Sequence, residues 1–98
     1  MKPSDLDRSL SIPDAVMIRE LEGESVILNL ETEHYFGLDE VGTHMLQVLV
    51  EAATLREGAR ILEGEYDTDG ETLNEDLMAF VSELVDNGLV VLGDGPDS

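Results

Sequence analysis

Two histidines, 23 carboxylates and no cysteine bound the chemistry open to this chain of 98 residues. Without a thiol there is no disulfide, no thiolate nucleophile and no Cys-held zinc or iron–sulfur centre. His34 and His44 are the only imidazoles, but a general acid or base needs a cleft and a positioned partner, and the sequence supplies neither beside them. They read as a surface residue and a helix-face residue. Carboxylates are so abundant that two falling near each other in sequence carry no information about paired acid–base work.

The sharpest chemical pattern is Glu65 to Asp76, with oxygen side chains at loop positions 1, 3, 5 and 12 around Gly70 at position 6, which imitates an EF-hand between two helices. Its opening residue is Glu rather than Asp, its eighth, Thr72, is not apolar, and its last is the short Asp76. A polar turn followed by an N-capped helix explains the same residues, so no metal is expected. An acyl carrier would need an exposed Ser at a helix start. Ser82 falls inside a helix, Ser25 in a strand, and Ser4, Ser9 and Ser11 in an unpatterned segment. No catalytic constellation or cofactor loop is present, and the expectation is a protein that is not an enzyme and carries no cofactor.

The elements that position these residues follow from periodicity. Val16 to Leu21 and Ser25 to Leu30 are apolar-rich runs joined across Glu22-Gly23-Glu24, where Gly23 tolerates a positive φ. In the second run Val26, Leu28 and Leu30 share one face and Ile27 and Asn29 the other. A third strand, His34 to Leu38, turns Phe36 and Leu38 one way and Tyr35 the other. Asp39 caps a helix running to about Ala53, with Val41, Met45, Leu46, Val48 and Leu49 on its apolar face. Thr54 and Glu57 make a capping box for a second helix bearing Leu55, Ala59, Leu62 and Tyr66. Thr72 and Glu75 repeat the box before a third helix striped by Leu73, Leu77, Phe80, Val81 and Leu84 and widened by Met78 and Val85. That helix closes at Asn87-Gly88, and Leu89 to Leu92 leave as an extended segment, a short C-terminal strand.

The fold class is therefore α+β, a winged-helix-like arrangement of a three-stranded antiparallel sheet followed by three helices. Residues 15–92 form the domain, with flexible tails expected at 1–14 and 93–98. One modest core built on Leu, Val, Ile and Met is all a chain of this length can hold, and it leaves no room for a deep pocket. The N-terminal residues are too polar for a signal peptide and no apolar run could span a bilayer, so the expected location is cytoplasmic. A formal net charge of -18 repels nucleic acid and anionic membranes, and favours solubility or a basic partner.

The hairpin, the junction Tyr35-Phe36-Gly37-Leu38-Asp39-Glu40-Val41-Gly42 and the closing Leu84-Val85-Asp86-Asn87-Gly88-Leu89-Val90 together resemble the PqqD family, the precursor-peptide recognition elements of ribosomally made, modified peptide pathways. The resemblance spans about Val16 to Leu92. It implies a non-catalytic, winged-helix-like protein that binds the leader of a precursor peptide, as in PQQ biosynthesis, by adding it as a strand beside the third strand, with leader side chains in a groove toward the third helix. Carried onto this chain, the edge is His34, Tyr35, Phe36, Gly37 and Leu38, and the groove wall is Leu77, Met78, Val81, Ser82 and Val85. For the wall residues, Leu77 and Val81 above all, burial in the domain's own core is the competing reading. The implied partners are a leader peptide and a modifying enzyme, most often a radical S-adenosylmethionine enzyme, with the protein either a monomer or a dimer paired through its strand edge. The alternative is a winged-helix regulatory or protein-interaction domain. As a DNA reader it would bring Glu75, Asp76 and Glu83 to phosphates with the wrong sign. Two positions depart from the family: Met45 stands where Trp is frequent, and Glu33 where Gly often precedes the third strand, which predicts a different turn there.

Overall fold

The order of the strands leaves the strand Tyr35–Leu38 at a margin of its sheet. The computed structural model describes residues 3–66 and 69–93. Their order is a 3-10 turn Pro3–Asp7, β1 Leu10–Ser11, β2 Val16–Leu21, β3 Glu24–Asn29, β4 Tyr35–Leu38, α1 Glu40–Glu51, α2 Leu55–Glu65, α3 Gly70–Asp86 and β5 Val91–Leu92. β2, β3 and β4 form one antiparallel sheet in that order, and β1 pairs with β5 in a separate two-stranded ribbon. The α+β class, the three-stranded meander, the three helices and the short terminal strand all agree with the pattern of the sequence.

The β2–β3 hairpin turns on Glu22 and Gly23, both at positive φ (56° and 86°). This is the twist that a two-residue connection needs, and it sets the register Ile18 opposite Ile27. Ser25, Ile27 and Asn29 point into the protein while Val26 and Leu30 face outward, so the face carrying Ile27 meets the core. Ile27, Leu49, Leu55, Leu62, Leu77, Val81, Leu84 and Leu89 are fully buried. Each contributes about 1.5–3 kcal/mol relative to exposure, so this small set dominates the stability of the domain. The polar pair Ser25 and Thr43 is buried but hydrogen-bonded at 2.7 Å, which joins β3 to α1 without leaving an unsatisfied hydroxyl.

Helix ends explain the connections. Asp39 accepts from the Gly42 N–H at 2.8 Å, and Thr54 from the Glu57 N–H at 3.1 Å. α3 starts earlier than its second capping box suggested. Asp69 is the cap, its carboxylate accepting from the Glu71 N–H at 2.8 Å and from the Thr72 hydroxyl at 2.8 Å, so Thr72 serves the cap instead of being it. The Thr72 hydroxyl and the two backbone N–H groups hold the Asp69 carboxyl below its ordinary range. At the other end Gly88 takes φ 71°, and the N–H groups of Gly88 and Leu89 donate to the carbonyls of Val85 and Leu84, closing the helix in a Schellman turn.

The segment before residue 15 departs from the flexible tail that was expected. Leu6 and Leu10 are buried in the core, and Leu10 and Ser11 pair with Leu92 and Val91. Arg8 donates from Nε to the Gly93 carbonyl and from Nη2 to the Leu92 carbonyl, while its own carbonyl accepts from the Leu55 N–H. Two isolated leucines give no periodicity to read, and only the tertiary structure supplies their partners. Residues 94–98 of the expected C-terminal tail lie outside the described residues. Among the described residues no helix is long and apolar enough to cross a membrane.

Candidate peptide-binding groove

β4 is an outer strand of its sheet, paired to β3 on one side only. The Asn29 N–H donates to the His34 carbonyl at 2.8 Å, and the register continues as Ile27 opposite Phe36 and Ser25 opposite Leu38. Hydrogen bonding alternates along an antiparallel ladder, so Tyr35 and Gly37 turn their N–H and C=O groups away from β3. Those groups form one free margin of the sheet, the outer side of β2 being the other. β5, the C-terminal segment that could have covered them, is instead spent on β1.

Beside that margin lies an open groove of about 460 Å³ lined by Phe36, Gly37, Leu38, Asp39, Val41, Gly42, Met45, Phe80 and Glu83. The strand supplies one wall, the start of α1 the floor at one end, and α3 the opposite wall. A Cβ on Gly37 would meet nothing within 4 Å, so the strand is open on that side as well. Tyr35, 74% exposed, stands on the outer sheet face in a cross-strand row with Leu28 and Met17. A second opening runs round the hairpin end of the sheet past Leu21, Val26 and Gly37. At the opposite margin only a smaller apolar cleft of about 180 Å³ separates β2 from α1, and Gln47 bridges it to Glu20.

The turn feeding β4 is organised by Asn29. Its Oδ1 accepts from the N–H groups of Glu31 and Thr32, and its Nδ2 donates to the Gly88 carbonyl at 2.8 Å. Glu33 adopts φ 65°. The glycine missing from this position therefore does not remove the left-handed residue from the turn; Glu33 carries that conformation itself.

Of the residues expected to bind, Phe36, Gly37 and Leu38 line the groove, and His34 and Tyr35 lie exposed on the same margin. Leu77 and Val81 are fully buried core. Met78 and Val85 pack partly buried against that core and Ser82 is half-buried, and none of the three is among the groove's lining residues. At about 100° per residue, Met78, Ser82 and Val85 fall on one flank of the Leu77–Val81–Leu84 stripe and Phe80 and Glu83 on the other. The groove lies on the second flank. Val41, expected in the core, is 51% exposed and joins it. Sequence reasoning had Phe80 and Val41 as core residues and missed Glu83 as a wall residue. An apolar residue in an exposed first turn was the available signal.

Neither histidine is among the residues lining the groove. His34 is exposed, and His44 Nε2 is hydrogen-bonded to Glu65 Oε2 between α1 and α2. In the calcium-like loop, Glu65 is thus engaged by His44 and Asp69 by the start of α3, while Asp67 and Thr68 lie outside the described residues. Among the described residues no group of three or more His, Asp or Glu is arranged to hold a metal ion.

No curated protein matches this chain. Two solved structures are similar to it, each with a TM-score of 0.75. One, described as TbiB1 in complex with the TbiA(beta) leader peptide, is 35% identical over 82% of this chain and 93% of its own. The other, lasso peptide synthetase B1 complexed with the leader peptide, is 19% identical over 85% of this chain and 98% of its own, and shows the shared fold. The family model described as coenzyme PQQ synthesis protein D (PqqD) matches residues 24–90, from β3 through the end of α3 and just beyond. The chain belongs to the PqqD family.

Proposed function

We propose that this protein is a non-catalytic adaptor that captures the leader of a ribosomally synthesised precursor peptide and presents the attached core to a separate modifying enzyme. The observation that carries the reading is the free margin at Tyr35 and Gly37 beside an apolar groove. An extended peptide completes such a margin with main-chain hydrogen bonds, and alternate side chains enter the groove to give specificity. TbiB1, a 35% identical relative, is described in complex with a leader peptide, which supports a leader as the guest here. Holding the leader raises the effective concentration of the core at the enzyme, which accelerates modification with no chemistry on the adaptor. A radical S-adenosylmethionine enzyme is the partner that the family resemblance favours. A DNA-reading role is disfavoured by the acidic exposed face of α3, where Glu71, Glu75, Asp76, Glu83 and Asp86 would meet phosphate.

The test is an N-methyl scan. A peptide that binds the chain, taken from a displayed library with the TbiA(beta) leader as first candidate, is resynthesised with single backbone N-methyl groups. Strand addition predicts loss of binding at every second residue across about five positions, as an antiparallel or parallel ladder requires. Uniform tolerance of N-methylation contradicts it.

A further inference from the structure

Glu83 places an exposed carboxylate on the lining of the groove. The reading rests on strand addition at β4 and extends it to the sequence of the guest. Glu83 is exposed on the α3 wall, and among the described residues no ion pair neutralises it. The chain's described cations are elsewhere. Arg8 is bound to the C-terminal ribbon, Arg56 to Asp7, Arg60 lies on α2, and Arg19 is on β2, separated from β4 by β3.

The level of Glu83 along the groove follows from the Asn29–Gly88 hydrogen bond, which fixes the end of α3 against the start of β4. At about 1.5 Å per helical residue Glu83 lies about 7.5 Å from Gly88 and Phe80 about 12 Å. At about 3.3 Å per strand residue Phe36 lies about 7 Å from His34 and Leu38 about 13 Å. Glu83 and Phe36 thus line the groove on the side nearer that tie, and Phe80 and Leu38 line it farther along. Two side chains of an added strand that enter the groove are two residues apart, one beside Phe36 and one beside Leu38. The second meets Phe80, Met45 and Val41; Asp39 also lines that end, where its carboxylate accepts from the Gly42 N–H as the cap of α1. The first meets an aromatic floor under an unneutralised carboxylate, at the end where α3 presents its negative pole. A Lys or Arg there lays its stem on Phe36 and brings its charge to Glu83.

We infer that the groove selects an extended peptide carrying Lys or Arg two residues from a bulky apolar side chain, with Glu83 as the residue that reads the base.

The experiment selects a phage-displayed library of random linear dodecapeptides in parallel on the full-length protein and on its Glu83→Lys variant, with folding of both checked by circular dichroism. Binders are mapped by backbone amide shifts. The native protein is expected to enrich Lys or Arg two positions from Leu, Ile, Phe, Tyr or Trp, and Glu83→Lys to replace the base with Asp or Glu. Glu83→Gln is expected to weaken the native binders about three- to tenfold, with the difference shrinking in high salt. Binders that shift Tyr35 and Gly37 but show the same residue preference on both proteins overturn the role of Glu83 and leave strand addition standing. Binders that leave Tyr35 and Gly37 unshifted, or a library without binders, overturn strand addition and this inference with it.

Discussion

The side-chain amide of Asn29 donates to the backbone carbonyl of Gly88 across 2.8 Å, tying the turn before β4 to the residue that closes α3. The two walls of the groove are therefore held by one residue that also accepts from the N–H groups of Glu31 and Thr32. Asn29→Ala removes the donor and the acceptor together. It is expected to cost about 2 kcal/mol in chemical denaturation, since the groups left behind are partly buried. Peptide affinity measured on the folded variant should fall as well, because the spacing of β4 and α3 is no longer set. Unchanged affinity would show that the groove does not depend on this tie.

Glu22 and Glu33 occupy left-handed backbone at φ 56° and 65°. A non-glycine residue there costs about 1–2 kcal/mol, whereas glycine or asparagine adopts the conformation readily. Glu33→Gly and Glu22→Asn are each expected to raise the unfolding free energy measured by chemical denaturation, by up to about 1 kcal/mol, without altering the sheet register. The second substitution creates the Asn-Gly pair that suits a two-residue hairpin.

Thr43→Val is close to isosteric but strands the buried hydroxyl of Ser25, its partner at 2.7 Å. The single variant is expected to lose about 1–3 kcal/mol. Adding Ser25→Ala should restore part of that loss, because removing both polar groups is cheaper than orphaning one. Full additivity of the two single variants in a double-mutant cycle would deny the coupling.

Gly58 lies where α1 and α2 cross, and a Cβ there would fall 2.7 Å from the Leu49 side chain. Gly58→Ala is expected to destabilise by about 1–3 kcal/mol, through overpacking. Gly58 is not among the residues lining the groove, so the folded variant should bind peptide with native affinity. That makes it the control for Asn29→Ala.

The Asp69 carboxyl is held below its ordinary range by the Thr72 hydroxyl and by the N–H groups of Glu71 and Thr72. A depressed folded-state pKa means that the unfolded chain binds the proton more readily. The stabilisation is thus complete above the unfolded value near pH 4 and is lost as the pH falls through the folded one. Amide exchange in the first turn of α3 should accelerate over that acidic window in the native protein. In Asp69→Asn this part of the pH dependence should vanish.

Local chemistry made much of the architecture legible. The β2–β3 hairpin followed from alternation around Glu22-Gly23, the start of α1 from Asp39, and the end of α3 from Asn87-Gly88. What escaped depended on parts of the chain meeting only in three dimensions. Leu6 and Leu10 show no period, yet the core and β5 receive them. Asp69 and Thr72 are both competent caps, and the earlier one wins because Thr72 can then support it as a donor. The stripe of α3 was readable from Leu77, Val81 and Leu84, but spacing cannot say which flank turns toward β4. The candidate wall was accordingly assigned to Leu77, Met78, Val81, Ser82 and Val85, whereas the α3 residues that line the groove are Phe80 and Glu83.

Hydrogen exchange at the Tyr35 and Gly37 amides, with and without a saturating bound peptide, tests the free margin of β4 most directly. Strand addition predicts that both amides slow by at least about tenfold on binding, while Phe36, already paired to β3, changes far less. Protection that appears on α2 or at the β2 margin, with Tyr35 and Gly37 exchanging as in the free protein, would contradict the account.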